Sequence, residues 1–173
     1  MSRIVATFFY IGLLRPASGT WGAAAALLLG MLTLRYLGLP ALAMATVLAT
    51  ALGFWACQAE LRDRPGEDPG EIVIDEVAGQ WVTLLFPAAG FYLSTAGRGF
   101  LEQSGGWLPW PAWIVPFALF RLFDIWKPWL VGRADRRGDA AGVMIDDLWA
   151  GLFAGVGTIA LAVLYHIPIL MMT

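Results

Sequence analysis

The sequence predicts an all-α fold, a polytopic membrane bundle of about five spanning helices plus a short N-terminal interfacial or re-entrant helix. Hydrophobic residues make up 59% of the 173-residue chain and charged residues only 14%, whereas soluble domains carry about 25% charged residues. Several apolar runs approach the roughly 20 residues that a helix needs to cross a bilayer. The sequence lacks the alternation of barrel strands, so helices must satisfy the backbone in lipid. The length fits one domain over residues 1–173.

Six apolar segments define the expected elements: Ile4–Leu14, Trp21–Leu37, Pro40–Leu61, Ile72–Leu93, Trp110–Val131 and Ala140–Leu170. The first segment is too short to span, so we assign it as the interfacial or re-entrant helix. Its apolar run between Arg3 and the small residues 17–19 also fits a signal peptide, which is the less favoured alternative. The other five segments are long enough, or nearly long enough, to be the spanning helices.

The connections between these segments are rich in Gly and Pro. Residues 38–40, Gly-Leu-Pro, predict a tight turn between the second and third segments. Residues 62–70 and 132–139 are predicted to be charged loops. Residues 94–109 are predicted to be a longer polar loop, and it ends at Trp107 and Trp110, a residue type enriched at membrane interfaces.

Basic residues are unevenly distributed between the two sides that five spans would define. The stretches around 15–20, 61–74 and 132–142 share one side and carry Arg15, Arg62, Arg64, Arg133, Arg136 and Arg137. The other side has Arg35 and Arg98. Because cytoplasmic loops are enriched in Lys and Arg, the first side is predicted to face the cytoplasm. Every acidic residue except Glu102 lies on or near that side, and acids contribute little to topology, so their placement requires another explanation.

Three acidic groups lie inside apolar sequence: Asp75-Glu76, Asp124 and Asp146-Asp147. Asp124 follows Trp110 by about 21 Å along a helix that rises 1.5 Å per residue. In a hydrocarbon core of about 30 Å, that position lies near the cytoplasmic boundary. The paired acids begin their segments on the same side. The sequence therefore predicts that the three groups meet at similar depth on three helices.

Carboxylates at this depth need neutralisation. A charged side chain at the centre of a membrane helix costs on the order of 3 kcal/mol on insertion scales, and carboxylate oxygens are ligands that suit Mg²⁺, Ca²⁺ or Mn²⁺. Cys57 and His166 lie elsewhere, which disfavours zinc. The candidate metal ligands and catalytic residues are Asp75, Glu76, Asp124, Asp146 and Asp147.

Candidate phosphate ligands lie beside these acids. Arg121, Asp124 and Lys127 share one helical face at i, i+3 and i+6, and Pro128 is expected to end the helix at Lys127. A cation beside a metal-binding carboxylate suits a phosphate group. Gly19 and Thr20 open a helix on the same side, where backbone N–H groups can bind an anion. Two structural alternatives stay open: an Arg121–Asp124 pair, and capping by the acids at helix starts.

Four stretches resemble the phosphatidylglycerophosphatase A family: Gly12–Gly22, Ile72–Gly79, Phe120–Trp129 and Gly142–Gly151. The Phe-Arg-x-x-Asp-x-x-Lys-Pro-Trp and Met-Ile-Asp-Asp motifs are the most specific parts of this resemblance. It implies a Mg²⁺-dependent phosphatase that converts the phospholipid phosphatidylglycerol phosphate into phosphatidylglycerol. It also implies an all-helical fold in the bacterial inner membrane. The apolar segments predict a multi-pass protein, and the distribution of basic residues predicts that its active site faces the cytoplasm. Attack by metal-activated water and a phospho-aspartyl intermediate both remain open.

Two other functions fit the membrane-embedded acids. An ion-coupled carrier or channel also uses such residues, but it needs polar groups at several depths, and these segments have few in their outer halves. Another lipid head-group enzyme, such as an alcohol phosphotransferase, would use a similar acid cluster. The chain has no basic arm or stripe, so we expect no nucleic-acid partner. The sequence gives no oligomeric state.

Overall fold

The computed structural model describes residues 1–62 and 69–171, with side chains described as far as residue 165. Its helices are α1 (Ser2–Ala6), α2 (Ser18–Leu37), α3 (Leu39–Glu60), α4 (Ile74–Leu93), α5 (Thr95–Gln103), α6 (Pro111–Trp126), α7 (Leu130–Asp135) and α8 (Ala140–Met171). The described residues contain no strand, which confirms the all-α prediction. Most of the predicted loop at 62–70, including Arg64, and the side chain of His166 lie outside the described residues.

Three of the described helices are long and apolar enough to cross a membrane: α2, α3 and residues Ala140–Tyr165 of α8. The expected count of about five is therefore not confirmed. Helix α6 has 16 residues, about 24 Å at 1.5 Å per residue, which is shorter than a hydrocarbon core of about 30 Å. Helix α4 has 20 residues, but polar side chains such as Gln80 lower its hydropathy.

Helix α4 is the centre of the bundle. It contacts α2, α3, α5, α6 and α8, and more than half of its residues are buried. Its indole at Trp81 donates a hydrogen bond to the carbonyl of Ala26 in α2 at 2.7 Å. The polar residues of α4 are thus enclosed by protein, which is where side chains of this kind are tolerated in a membrane bundle.

Small residues let α4 and α8 approach closely. A Cβ atom on Gly79 would lie 2.6 Å from the carbonyl oxygen of Asp147, and one on Gly151 would lie 3.1 Å from the Cα atom of Gly79. Thr83 donates across this contact to the carbonyl of Gly151 at 3.1 Å. Gly155, one turn further along α8, packs against the ring of Phe86. The Gly151-x-x-x-Gly155 pattern is therefore a helix-packing motif.

We expect Gly79→Ala to destabilise the bundle. The added methyl group would overlap the α8 backbone and the ring of Phe120, at 2.6 Å from each, and such overpacking costs about 1–3 kcal/mol. The matched control is Gly90→Ala in the same helix, where a Cβ atom meets no other atom within 4 Å. Thermal unfolding in detergent should show a lower midpoint for Gly79→Ala and an unchanged or higher midpoint for Gly90→Ala. Equal midpoints would contradict the close packing.

The N-terminal segment differs from the single short helix that we predicted. Helix α1 ends at Ala6, and Phe8, Phe9 and Tyr10 all have positive φ angles before a 3₁₀ turn at Ile11–Leu13. The hydroxyl of Thr7 holds this break, because it donates to the carbonyl of Arg3 and accepts from the N–H of Tyr10. The segment packs on the start of α4, where the N–H of Val73 donates to the carbonyl of Ala6.

Two predicted loops contain helices. Residues 94–109 include α5, whose first turn is capped by the hydroxyl of Ser94 accepting from the N–H of Gly97. Residues 132–139 include the end of α7. The predicted break at Lys127 is confirmed: α6 ends there, and Lys127 has a left-handed backbone conformation. Because Pro128 disfavours the α conformation at the residue before it, the chain turns sharply and re-enters a helix at Leu130.

Candidate active site

The register between α4 and α8 sets the paired acids side by side. Asp75 precedes Gly79 by one helical turn, and Asp147 precedes Gly151 by one turn. Residues four apart share a helix face. Because the two glycines meet in a parallel contact, the two acids meet one turn nearer the helix starts. The same glycines therefore position the site and pack the bundle.

The carboxylates converge as the sequence predicted. Oxygens of Asp75, Glu76 and Asp147 lie within 4.8 Å of one another. Asp75, Asp146 and Asp147 are buried, with 8%, 5% and 3% of their surfaces exposed. Asp124 arrives from α6, and its carboxyl group interacts directly with that of Asp147. Three helices thus supply the five predicted acids.

A cavity of about 220 Å³ opens onto this cluster. Its walls contain all five predicted acids and Lys127. The full lining is Ser18, Gly70, Ile72, Asp75, Glu76, Asp124, Lys127, Asp135, Gly138, Val143, Asp146 and Asp147. A phosphate-sized group could therefore reach both the carboxylates and a cation.

Lys127 is the cation on the cavity wall. Its ammonium group lies 2.9 Å from a carboxylate oxygen of Asp146 and also bonds Asp135. Burial alone would lower the pKa of Lys127, but these hydrogen bonds and charges outweigh burial and raise it. Lys127 therefore stays protonated. The left-handed turn at Lys127 allows this arrangement, because it ends α6 and places Asp135 of α7 opposite.

Arg121 occupies a different position from Lys127. Its guanidinium pairs with Asp124, one turn along α6, which is the structural alternative that the sequence left open. Its Nε atom is buried without a hydrogen-bond partner among the described residues. Arg121 is not among the residues that line the cavity. It orients Asp124 at the edge of the cluster.

Gly19 and Thr20 lie next to the cluster rather than on the cavity wall. A Cβ atom on Gly19 would overlap a carboxylate oxygen of Glu76 and lie 3.3 Å from the Arg121 guanidinium, so a side chain here would displace the Glu76 carboxylate. The N–H groups of Thr20 and Trp21 donate to the carbonyl of Ala17 and are already used. From this loop, Ser18 reaches the cavity wall, where its hydroxyl bonds the carbonyl of Gly70.

Helix capping accounts for only part of the acidic pattern. Asp75 and Glu76 lie in the first turn of α4, where the carboxylate of Asp75 accepts from the N–H of Glu76 at 3.0 Å. The N-cap of α4 is Val73, and that of α8 is supplied by Asp139, whose carboxylate accepts from the N–H of Gly142 at 2.7 Å. A hydrogen bond from Arg137 and the Gly142 N–H lower the pKa of Asp139. Asp139 is thus an exposed residue of the predicted charged loop, with 52% of its side chain accessible, and it also caps α8. Asp146 lies deeper in α8, beyond its first turn.

Two polar residues, one on the cavity wall and one a helical turn beyond the acids, were missed from the sequence. Asp135 was predicted to lie in a charged loop and was not assigned to the site, but it accepts a hydrogen bond from Lys127 and lines the cavity. Gln80 lies one turn after Glu76 in α4, fully buried, and neither polar atom of its side chain has a partner among the described residues. The sequence does contain a signal for Gln80: it follows Glu76 by four residues inside an apolar segment, so the two share one helix face.

The donor set fits a hard divalent cation. The clustered ligands are all carboxylate oxygens, and one buried oxygen of Glu76 has no hydrogen-bond partner among the described residues. A buried acceptor without a partner is costly, and a cation would satisfy it. Mg²⁺ is usually bound through a few carboxylates together with substrate phosphates. Asp75, Glu76 and Asp147 are the residues best placed to hold it.

Comparisons with known proteins identify the family. The sequence model of phosphatidylglycerophosphatase A matches residues 4–162. A phosphatidylglycerophosphatase A of Haemophilus influenzae is 33% identical over 92% of this chain and 87% of its own length. The phosphatidylglycerophosphatase A of Escherichia coli is 30% identical over 88% of this chain and 78% of its own.

A third relative has a different name. A Bacteroides thetaiotaomicron protein, provisionally named a phosphatidylinositol-3-phosphatase, is 34% identical over 87% of each chain. No solved structure was found to match the chain. The family match covers most of the sequence, including all four motifs of the resemblance, so that resemblance is confirmed. This chain belongs to the phosphatidylglycerophosphatase A family.

Proposed function

We propose that this chain hydrolyses the terminal phosphate monoester of phosphatidylglycerol phosphate, releasing phosphatidylglycerol and inorganic phosphate. The names of its Haemophilus and Escherichia relatives support this substrate. The observation that carries the proposal is the convergence of acids from α4, α6 and α8 on one cavity that also contains Lys127. Acidic metal ligands and a fixed cation are what phosphate hydrolysis needs.

Mg²⁺ is the proposed cofactor, held by Asp75, Glu76 and Asp147 with Asp124 and Asp146 beside them. When bound, it withdraws charge from a phosphoryl oxygen and makes phosphorus more open to attack. The negative charge of the cluster also supports a bound cation, because five carboxylates in one partly buried cluster repel one another.

The chain's own residues would then handle the phosphate and the protons. The Lys127 ammonium donates to a phosphoryl oxygen and neutralises charge that develops there. Asp146 and Asp135 hold Lys127 in place. Water forms the new oxygen–phosphorus bond, the bond from phosphorus to the glycerol oxygen breaks, and one water proton is transferred through the carboxylates to that oxygen. Arg121 keeps Asp124 oriented toward Asp147.

The proposed location is the bacterial inner membrane, with a multi-pass topology and the site open to the cytoplasm. Three membrane-length helices support a membrane protein. Arg133 in α7, and Arg136 and Arg137 between α7 and α8, lie next to the cavity end of the bundle, and basic residues favour the cytoplasmic side. The acyl chains would remain in the bilayer while the head group enters the cavity.

Phosphate release from defined lipids tests this proposal. Purified protein in detergent is expected to release phosphate from phosphatidylglycerol phosphate with Mg²⁺ and to stop when EDTA removes the metal. Phosphatidylinositol 3-phosphate is the second substrate to test, because the Bacteroides relative carries that name. A higher kcat/KM on the inositol lipid would replace the proposed substrate. No release from any phospholipid monoester would reject the phosphatase assignment.

A further inference from the structure

A second cavity lies beside the acidic site, between the end of α3 and the start of α8. Its volume is about 620 Å³. It is lined by Trp55, Gln58, Ala59, Leu61, Arg62, Gly138, Asp139, Ala140 and Ala141. Gly138 lines both this groove and the acidic cavity, so the two spaces adjoin. We call the second cavity the α3–α8 groove.

The packing of α3 on α8 explains where the groove opens. The two helices contact each other at Gly53, where a Cβ atom would lie 2.7 Å from the sulfur of Met144. From that contact α3 continues to Glu60, and α8 extends back to Ala140. Both helices are membrane-length, and the groove lies at the same end as the acids. A lipid in the bilayer could therefore enter from between two spanning helices.

The lining of the groove combines apolar walls with the cation of Arg62. Leu61, Ala59 and Ala140 supply apolar surface, and Trp55 is 48% exposed. The guanidinium of Arg62 forms no ion pair with any described residue, whereas Arg137 nearby is paired with Asp139. Arginine binds phosphate oxygens with two parallel hydrogen bonds. The groove thus offers a phosphate ligand next to a surface that suits the apolar part of a lipid.

We propose that the α3–α8 groove binds the phosphatidyl part of the substrate and that Arg62 binds its internal phosphodiester. This inference rests on the proposed function and deepens it. Phosphatidylglycerol phosphate has two phosphates joined by one glycerol unit, and the two adjoining cavities provide a site for each. The monoester lies in the acidic cavity with Lys127, and the diester lies in the groove. Arg62 is therefore a specificity-determining residue for lipids that carry an internal diester.

Kinetics of Arg62→Gln test the assignment. A charge-assisted hydrogen bond to phosphate accounts for about 10- to 100-fold in affinity, so KM for phosphatidylglycerol phosphate should rise about tenfold or more. The value of kcat should stay nearly constant, because the contact is made equally in ground and transition states. Arg62→Lys should keep part of the affinity. Arg136→Gln is the matched control, since it removes an exposed arginine at the same end that does not line the groove.

A binding measurement separates this inference from the proposed function. Phosphatidylglycerol added to the purified protein in detergent should raise the thermal unfolding midpoint of the wild type and of Arg136→Gln, but not of Arg62→Gln. Diacylglycerol, which has the acyl chains but no phosphate, should act on all three equally. An equal response of Arg62→Gln and wild type to phosphatidylglycerol would overturn the role of Arg62, even if the enzyme is active. If the response depends on Arg62 but no phosphate is released, the proposed substrate is rejected and the lipid-binding role of the groove stands.

Discussion

Replacing Asp147 by Asn is expected to lower kcat for phosphate release by about a thousandfold. Asp147 is nearly buried, shares the cluster with Asp75 and Glu76, and also contacts Asp124. The amide keeps the shape of the side chain but removes the charge and replaces one ligand oxygen with a donor. Michaelis–Menten kinetics with saturating Mg²⁺ would measure the loss. The matched control is Glu102→Gln, an exposed acid in α5 far along the chain from the cluster.

The same substitution should stabilise the metal-free protein. Carboxylates that share a buried site repel one another, and neutralising one removes part of that repulsion. With EDTA present, Asp147→Asn is therefore expected to unfold at a higher temperature than the wild type. Adding Mg²⁺ should raise the wild-type midpoint and raise that of the variant much less. An active variant, or one that loses stability without metal, would contradict the role of Asp147 as a metal ligand.

The sequence was sufficient to predict the elements whose signal lies within a short stretch of chain. Helices α2, α3 and α8 are uniform apolar runs, and their bounds agree with the predicted segments within a few residues at most ends. The acids could be located because charge inside apolar sequence is costly and must be explained. Their convergence followed from counting residues along helices from one membrane boundary. These inferences need no knowledge of which side chain meets which.

The remaining features depend on contacts between distant residues. Phe8–Tyr10 contain no Gly or Asn, the residues that would predict a break with positive φ angles after α1. The break is stabilised by the hydroxyl of Thr7 and by packing on α4. Helix α5 is short and amphipathic, so its composition is similar to that of a loop. The span count is not confirmed at α4, where inward-facing polar side chains lower the hydropathy, or at α6, which has only 16 residues. The partners of Lys127 depend on one backbone turn.

Lys127→Met is expected to lower kcat/KM for the lipid phosphate by about a hundredfold. Met keeps the unbranched stem and tolerates the left-handed backbone at residue 127 about as well as Lys does, but it carries no charge. Lys127→Arg should retain part of the activity, since it keeps the cation. As a control, Arg3→Met removes an ion pair with Glu71 that is more exposed than the pair between Lys127 and Asp146. It should change activity little, because exposed pairs contribute about 0–1 kcal/mol to stability.

Inhibition by inorganic phosphate separates a phosphate ligand from a purely structural cation. If Lys127 binds the phosphoryl group, the inhibition constant of phosphate rises in Lys127→Met by a factor comparable to the loss in kcat/KM. If Lys127 serves only to neutralise Asp146 and Asp135, the variant loses stability while its residual activity keeps the wild-type inhibition constant. Asp135→Asn is the matched control, because it removes one partner of Lys127 but leaves the 2.9 Å contact with Asp146. A phosphate-binding Lys127 then stays in place, so phosphate should inhibit Asp135→Asn about as strongly as it inhibits the wild type.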